Sequence, residues 1–413
     1  MNIWNKYKNS SFILKMTAGF VLGILVGVIF GPEAALLKPL GTLLIKLLNL
    51  IATPVVFLTV VLAVNQMNPA QLGRTGGKLI LYYGITTAAA VLIGLGLSLL
   101  INPGNSLSLP NAEVNKPETP IVSDVILSIV PDNFLTAFTT GNLIAIMFLA
   151  IIIGFTISGM RFSTDEKIQK YGSQLQSIFD AANVLFFRIL QGIMLYAPIG
   201  IFAIGATAFG TQGWDTFTSL LKFTGVFYIG IIILWVFVYS GFLKMFKIPV
   251  RKFFINTKDA YTTAFFTSSS IATLPVAIES AKKAGISEKM VNFSLPLGAV
   301  FNSDGGALRM GASIVFAANV SGAQFSPIDF LTIILVGTLL SIGTAGIPAA
   351  GLVTLSAVLT MFDLPLEIVA LIAGVDAIIG MAGTASNVIG DVVGAAVVDQ
   401  SEKKYQSEAK VIS

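Results

Sequence analysis

The chain has 413 residues, of which 55% are apolar and only 11% are charged, and its formal net charge is +4. Soluble globular domains carry about 25% charged residues, so the composition indicates a polytopic membrane protein, and the small net charge does not indicate a nucleic-acid partner. The chain has no Cys and no His, which excludes disulfides, thiolate nucleophiles, Cys/His zinc sites and histidine acid–base catalysis.

Apolar stretches of span length follow one another along the chain, and a transmembrane helix needs about 20 mostly apolar residues. Six ordinary spans are predicted, at 16–32, 47–64, 79–101, 133–160, 189–214 and 223–243. Two further spans, 290–316 and 366–398, carry charged residues inside them. The sequence therefore predicts an all-α membrane protein with eight transmembrane helices.

Lysine and arginine are concentrated in alternate loops, and such loops face the cytoplasm. Basic clusters at 74–78, 161–170 and 244–258 lie on the same side as the N-terminal lysines, whereas the long loop 102–130 is acidic. Both termini are therefore predicted to be cytoplasmic. No cleavable signal peptide is predicted, because the first apolar stretch is span-length and lacks a small-residue cleavage site.

Span one places four glycines along one helix stripe, which permits close helix–helix contact. They are Gly19, Gly23, Gly27 and Gly31. The stripe fits ordinary packing inside the chain and an interface between subunits or domains equally well.

Two later apolar segments are interrupted by small and polar residues that end in proline, at 267–275 and at 341–348. The basic clusters on both sides of the first interruption put its two ends on the cytoplasmic face. The second interruption lies beyond span seven, so its ends face outward. The sequence predicts two re-entrant hairpins of opposite orientation, at about 259–286 and about 326–365, and paired broken segments of this kind indicate a transporter binding site.

Span seven contains the tract Asn302-Ser303-Asp304-Gly305-Gly306, which is a poor helix interior because adjacent glycines weaken a helix. As an unwound stretch it offers carbonyl, amide and carboxylate oxygens, which are the ligands of a hard cation.

Span eight carries a polar and glycine-rich stripe, which helical geometry places within about 60° of one direction, with one further residue about 80° away. The stripe consists of Asp376, Gly380, Gly383, Asn387 and Asp391, and Thr384 is the further residue. Because an intramembrane carboxylate is costly, we expect Asp304 and Asp391 to bind a cation. Asp376 is either functional or simply neutralised by Arg309.

Several motifs along the chain resemble those of the glutamate/neutral amino acid transporter family, the dicarboxylate/amino acid:cation symporters. They are SSSIATLP, LPLGAVFNSDGGA, SIGTAGIPAAG and DAIIGMAGTASNVIGD, together with LYYGITT in span three and YAPIGIFAI in span five. The resemblance implies a homotrimer in the plasma (inner) membrane of a prokaryote, embedded in the lipid bilayer and working by an elevator mechanism.

The resemblance also implies a division into a scaffold and a moving transport domain. The segments are 1–78 (scaffold spans one and two), 79–130 (span three, part of the transport domain, and an external loop), 131–218 (scaffold spans four and five) and 219–413 (the rest of the transport domain, with span six, span seven, span eight and both hairpins).

The family's sodium-binding positions are matched by residues of this chain. One site corresponds to Tyr83, Thr86, Thr87, Asn302 and Asp304, a second to Gly298, Asn302, Asn387 and Asp391, and a third to the backbone of Ser341, Ile342 and Thr344. Ser303 stands where the family has methionine in the third site. Sodium is thus the implied coupling ion, and no organic cofactor is expected.

The substrate-binding positions match the family only in part. The matching positions are Ser269, Ser270, Ile347, Gly351, Thr384 and Asn387. Three positions differ from the family. A threonine of the family is replaced by Gly306, and the aspartate that binds the substrate amine is replaced by Gly380. The arginine that binds an acidic side chain of the substrate is replaced by Gly383. Arg309 stands at a tyrosine-like position and offers a relocated guanidinium, or pairs with Asp376.

Other classes of membrane protein fit the sequence less well. A channel would need a continuous filter, and a membrane enzyme would need a base beside its serines, which this chain lacks. We predict a sodium-coupled symporter of a small carboxylate, most directly an amino acid. The alternatives are a dicarboxylate symporter that uses Arg309, and a proton-coupled symporter of the same family.

Overall fold

The computed structural model describes residues 12–65, 72–107, 130–140, 142–341 and 350–412. The described residues are almost entirely helical and include no β-strand. This agrees with the all-α prediction.

The described helices of the first half of the chain range from 7 to 47 residues. They are α1 (Phe12–Phe30), α2 (Lys38–Asn65), α3 (Gly77–Ile101), α4 (Phe134–Thr140), α5 (Leu143–Arg161) and α6 (Glu166–Gln212). A 3-10 segment, Gly31–Leu37, joins α1 to α2, and a π-helical turn, Leu72–Gly76, precedes α3.

The described helices of the second half range from 6 to 46 residues. They are α7 (Trp214–Ile233), α8 (Ser240–Met245), α9 (Val250–Asn256), α10 (Lys258–Thr267), α11 (Ser270–Lys283), α12 (Glu288–Phe301), α13 (Asp304–Ser321), α14 (Pro327–Ser341), α15 (Ala350–Met361) and α16 (Glu367–Ile412). A π-helical turn, Leu234–Tyr239, joins α7 to α8.

Five stretches of the described residues are long and apolar enough to cross a membrane. They are Leu14–Asn65, Arg74–Ile101, Glu166–Thr211, Trp214–Met245 and Glu367–Lys403. Shorter apolar helices lie at Ala145–Arg161, Pro327–Leu340 and Gly351–Met361. The count of eight spans stays a prediction.

Predicted span four, 133–160, is not one helix. Asn142 has an extended backbone and its side chain accepts a hydrogen bond from the backbone N–H of Ala145, so it caps α5 and separates it from α4. Predicted span five, 189–214, begins much earlier in the structure, because Asp165 caps α6 by accepting from the N–H of Lys167 at 2.8 Å. Hydropathy located only the apolar half of this helix.

The glycine stripe of α1 packs inside the chain. A Cβ atom at Gly19, Gly23 or Gly27 would lie 2.5 Å from a backbone carbonyl oxygen of α6. Gly31 has φ of +57° and begins the 3-10 segment, and it contributes its backbone to the contact, because a Cβ atom at Gly210 of α6 would lie 2.2 Å from the Gly31 carbonyl oxygen. Of the two interpretations of the stripe, the structure shows packing within the chain.

The helices form two groups. In the first, α1, α2 and α5 pack against the long helix α6. In the second, α3, α7 and α13 pack together, and α16 contacts all of them as well as α10, α11 and α12. The groups meet at several places, above all where α16 touches α6, α1 and α2 and where α15 touches α2.

The first interrupted segment forms two helices, α10 and α11, that pack against each other. Ser268 adopts a left-handed backbone with φ of 49°, and the Ser269 side chain caps α11 by accepting from Ala272 N–H. Pro275 lies inside α11 and does not end it. The second interruption separates α14 from α15, and residues 342–349 lie outside the described part of the chain.

Candidate functional site

The break between α12 and α13 is shorter than the sequence predicts. Only Asn302 and Ser303 are non-helical, and Asp304, Gly305 and Gly306 form the first turn of α13. The first N–H groups of a helix have no partner within the helix, and here the Gly305 N–H is paired with the Asn387 side chain at 2.8 Å. The break directs the side chains of Asn302 and Asp304 into the protein, where both are 0% exposed.

Asp304 is surrounded by hydroxyl groups from other helices. Its Oδ1 accepts from Thr87 at 2.8 Å and from Thr86 at 3.2 Å, and its Oδ2 accepts from Tyr239 at 2.7 Å. Since Thr86 and Thr87 lie on α3, this carboxylate joins α3 to α13. The contact brings together residues predicted for the first cation site.

A second buried carboxylate lies next to Asn302. The Asn302 amide nitrogen donates to Asp391 Oδ1 at 3.0 Å, whereas its amide oxygen is buried and has no hydrogen-bond partner among the described residues. A Cβ atom at Gly298 would lie 2.6 Å from both the Tyr83 hydroxyl and the Asp391 carboxyl carbon. Buried oxygens are normally paired, so the unpaired amide oxygen of Asn302 is available to a hard cation.

Asn387 holds the break from the side of α16. Its amide oxygen accepts from the Gly305 N–H at 2.8 Å, and its amide nitrogen donates to Ser303 Oγ at 3.2 Å. This residue is therefore in place beside the predicted cation ligands.

Arg309 and Asp376 form an ion pair between α13 and α16. The Arg309 guanidinium also lies directly against Gly351 on α15, in space that a side chain at this position would occupy. Of the two roles considered for Arg309, pairing with Asp376 is the one present in this structure.

The glycines of α16 differ in their surroundings. A Cβ atom at Gly380 would meet no atom within 4 Å, and one at Gly383 would make ordinary contact with Phe227 at 3.5 Å. Gly383 faces Gly305 so closely that a Cβ at Gly305 would lie 2.5 Å from the Gly383 Cα. Thr384 is half-buried on the same helix.

The remaining predicted substrate positions and the third predicted sodium site lie at the ends of helices or outside the described residues. Ser270 is buried at the start of α11, which packs against α16, and Ser269 caps the same helix. Ser341 ends α14. Ile342, Thr344 and Ile347 lie outside the described residues.

Sequence reasoning missed Tyr239 and Ser386. Tyr239 donates to Asp304, and its hydroxyl also donates to the Ser386 carbonyl at 3.1 Å. The Ser386 hydroxyl in turn accepts from Trp235 at 3.0 Å. Tyr239 ends a π-helical turn, a feature frequent at functional sites that no residue pattern in span six announces.

Comparisons with known proteins cover nearly the whole chain. The profile of the sodium:dicarboxylate symporter family matches residues 12–401. A proton/sodium-glutamate symport protein of Bacillus subtilis is 31% identical over 94% of this chain and 92% of its own length. A C4-dicarboxylate transport protein of Cupriavidus pinatubonensis is 30% identical over 92% of this chain and 89% of its own. One from Deinococcus radiodurans is 31% identical over 95% and 89%.

Proposed function

The chain belongs to the sodium:dicarboxylate symporter family, and on that premise we propose that it is a sodium-coupled secondary active symporter of a small carboxylate. It is a membrane transporter and not an enzyme. The observation that carries the sodium proposal is the set of buried polar groups around Asn302, whose amide oxygen is unpaired among the described residues and whose amide nitrogen donates to Asp391.

Two sodium sites are proposed within the described residues. One uses Tyr83, Thr86, Thr87, Asn302 and Asp304, and the other uses Gly298, Asn302, Asn387 and Asp391. A third, at the backbone of Ser341, Ile342 and Thr344, follows from the resemblance alone. The hydroxyl, amide and carboxylate donors of the first two supply only oxygen, as a hard cation requires.

The substrate proposal rests on relatives whose names give different substrates. Some are glutamate symport proteins and others are C4-dicarboxylate transport proteins, so a carboxylate is the property shared. We propose an amino acid, because Ser270, Thr384 and Asn387 are retained at the positions that the resemblance assigns to its backbone. The ion-paired Arg309 favours a dicarboxylate as the second candidate.

The mechanism proposed is an elevator with eight spans and two opposed re-entrant hairpins. The helices α1, α2 and α5 pack against α6 as one group, which supports the proposal that they form the scaffold of a homotrimer. The helices around α16 form the proposed transport domain, with α10–α11 and α14–α15 as the hairpins. The proposed location is the bacterial plasma membrane, with both termini in the cytoplasm.

Uptake into proteoliposomes tests the coupling ion. We expect uptake of glutamate, succinate or serine to need an inward sodium gradient and to stop when choline replaces sodium. The names of relatives that include both proton and sodium make the proton gradient the necessary comparison. Full-rate uptake with a pH gradient and no sodium would contradict sodium coupling and favour a proton symporter.

A further inference from the structure

Asp399 is a buried carboxylate to which the proposed sodium and substrate sites give no role. It lies on α16 about two turns beyond Asp391, and it is only 6% exposed. Its Oδ2 accepts from the Ser287 N–H at 3.2 Å and pairs with Lys403 at 2.6 Å, and its Oδ1 accepts from the Ser287 hydroxyl. A buried carboxylate is costly unless it is paired, and here the pairing joins α16 to the start of α12.

The start of α12 does not need Asp399 as a cap. Ser287 is itself the capping residue, since its hydroxyl oxygen accepts from the Met290 N–H. At the other end of α12, the Asn302 amide donates to Asp391 at 3.0 Å. Two carboxylates of α16, Asp399 and Asp391, thus hold α12 at both of its ends.

A further carboxylate, Glu402, joins the end of α16 to α3. It pairs with Lys78 at 2.6 Å and with Arg74 at 3.4 Å, and Lys78 also donates to Ser401 Oγ at 2.6 Å. Lys78 lies in the first turn of α3, less than three turns before Thr87. The side chains of Lys78 and Glu402 are only 28% and 18% exposed, so solvent screens their attraction less than that of a pair on the open surface.

These contacts connect the three helices that carry most of the proposed sodium ligands. The ligands on them are Tyr83, Thr86 and Thr87 of α3, Gly298 of α12 with Asn302 at its end, and Asn387 and Asp391 of α16. A ligand set spread over several helices binds an ion only when the helices are correctly placed against one another. A site that is placed in advance loses less binding free energy to ordering.

We propose that Asp399 and Glu402 are positioning residues for sodium. They lie about 12 and 16 Å beyond Asp391 along α16, at 1.5 Å per residue, and they hold α12 and α3 against α16 before the ion binds. The proposal rests on the sodium-coupled symport proposed above, and it adds residues that touch neither the ion nor the substrate. Loosening these contacts raises the sodium concentration that the protein needs.

Sodium titrations of the melting temperature test the proposal without substrate, because an ion that binds only the folded protein stabilises it. We expect Asp399→Asn and Glu402→Gln each to raise the sodium concentration for half-maximal stabilisation about fivefold, as the loss of one hydrogen bond of typical strength predicts. Half-maximal uptake into proteoliposomes should need more sodium by the same factor. Maximal uptake at saturating sodium should fall less than about twofold, since a loss of binding raises the half-saturating concentration and not the maximal rate.

Glu288→Gln is the matched control. Glu288 follows Ser287 in the chain, and its carboxylate pairs with Lys282 at 2.8 Å, but this pair joins α11 to α12 and does not reach α16. Its removal should leave the sodium titration unchanged. A charge exchange supplies a rescue: Glu402→Lys alone should weaken sodium binding more than Glu402→Gln, and the addition of Lys78→Glu should recover most of the native affinity.

The outcomes distinguish this inference from the function on which it rests. A native protein whose melting temperature and uptake do not respond to sodium would overturn the proposed function. A native protein that responds, with Asp399→Asn and Glu402→Gln variants that melt lower but need no more sodium, would overturn the positioning role and leave sodium coupling intact. If Asp399→Asn does not fold, Glu402→Gln decides, because its side chain is partly exposed and accepts the neutral amide.

Discussion

The contact between α1 and α6 and the contact between α13 and α16 both depend on glycine, yet they differ in what surrounds the glycines. At α1, the three glycines face backbone carbonyls of α6 and leave no space for a side chain. At α16, Gly380 faces an opening, and buried charges lie on both sides of it.

The distribution of buried charge also distinguishes the α1–α6 contact from the α13–α16 contact. Among the described residues, every buried Asp, Glu, Lys or Arg side chain lies on α13 or α16. They are Asp304, Arg309, Asp391 and Asp399. Helices in a membrane associate through close packing of small residues, whereas buried charge is costly there and indicates function. The comparison separates glycines that join helices from glycines that leave room for ligands.

Filling the α1–α6 contact has the largest expected effect. In Gly23→Leu the new Cβ would lie 2.5 Å from the Phe202 carbonyl oxygen, and a backbone atom cannot move aside as a side chain can. We expect a loss of about 3 kcal/mol in the free energy of unfolding, measured as a lower melting temperature in detergent. Gly192→Leu, on the exposed face of α6 with no atom within 4 Å, is the control. Equal melting temperatures for the two variants would show that the α1–α6 contact is loose.

Removing the charge of Asp304 tests the polar region. Asp304→Asn keeps the side chain's shape, but a neutral amide attracts a cation less and cannot accept three hydroxyl donors as the carboxylate does. Charge-assisted hydrogen bonds contribute about 1.5–3 kcal/mol, so sodium should bind roughly 10- to 100-fold more weakly. The measurement is the sodium concentration that half-saturates substrate binding, with the exposed Asp180→Asn as control. An unchanged sodium dependence would remove Asp304 from the proposed ligands.

Gly380→Ala tests whether the opening on α16 receives substrate. The methyl group would meet no protein atom within 4 Å, and alanine favours the helix over glycine, so the melting temperature should not fall. A methyl group in a ligand pocket costs about 1–3 kcal/mol, which corresponds to roughly tenfold weaker substrate binding or more. Binding of native strength, measured by competition uptake, would place the substrate elsewhere.

The smallest effect is expected at Thr86. Its hydroxyl hydrogen is shared between Asp304 Oδ1 and the Tyr83 carbonyl, both at 3.2 Å, whereas Thr87 donates to Asp304 at 2.8 Å. Thr86→Ala should therefore weaken sodium binding only about twofold, and Thr87→Ala about tenfold, in line with roughly 0.5 and 1.5 kcal/mol. The reverse order, measured with the same sodium titration, would contradict the partner assignments of the two hydroxyls.

The sequence predicted much of the candidate site because charge and glycine stand out in apolar spans. Asp304, Arg309, Asp376 and Asp391 are visible in this way without any structure, and the resemblance connected them with Thr87 and other ligands. Tyr239 could not be found, since a tyrosine near the end of an apolar span looks the same whether or not its hydroxyl meets a carboxylate. The roles of these site residues in binding the cation and the substrate are predictions.

The sequence by itself determined that this is an all-helical membrane transporter of its family, since hydropathy and local motifs are properties of neighbouring residues. Only the tertiary structure decided which residues meet across helices: that Gly23 faces Phe202 of α6, and that Arg309 pairs with Asp376 beside Gly351. A glycine permits close approach but does not specify its partner. The partner depends on how all the helices pack together. An apolar helix face can pack against several different helices, and the positions of the remaining helices decide which of them it contacts.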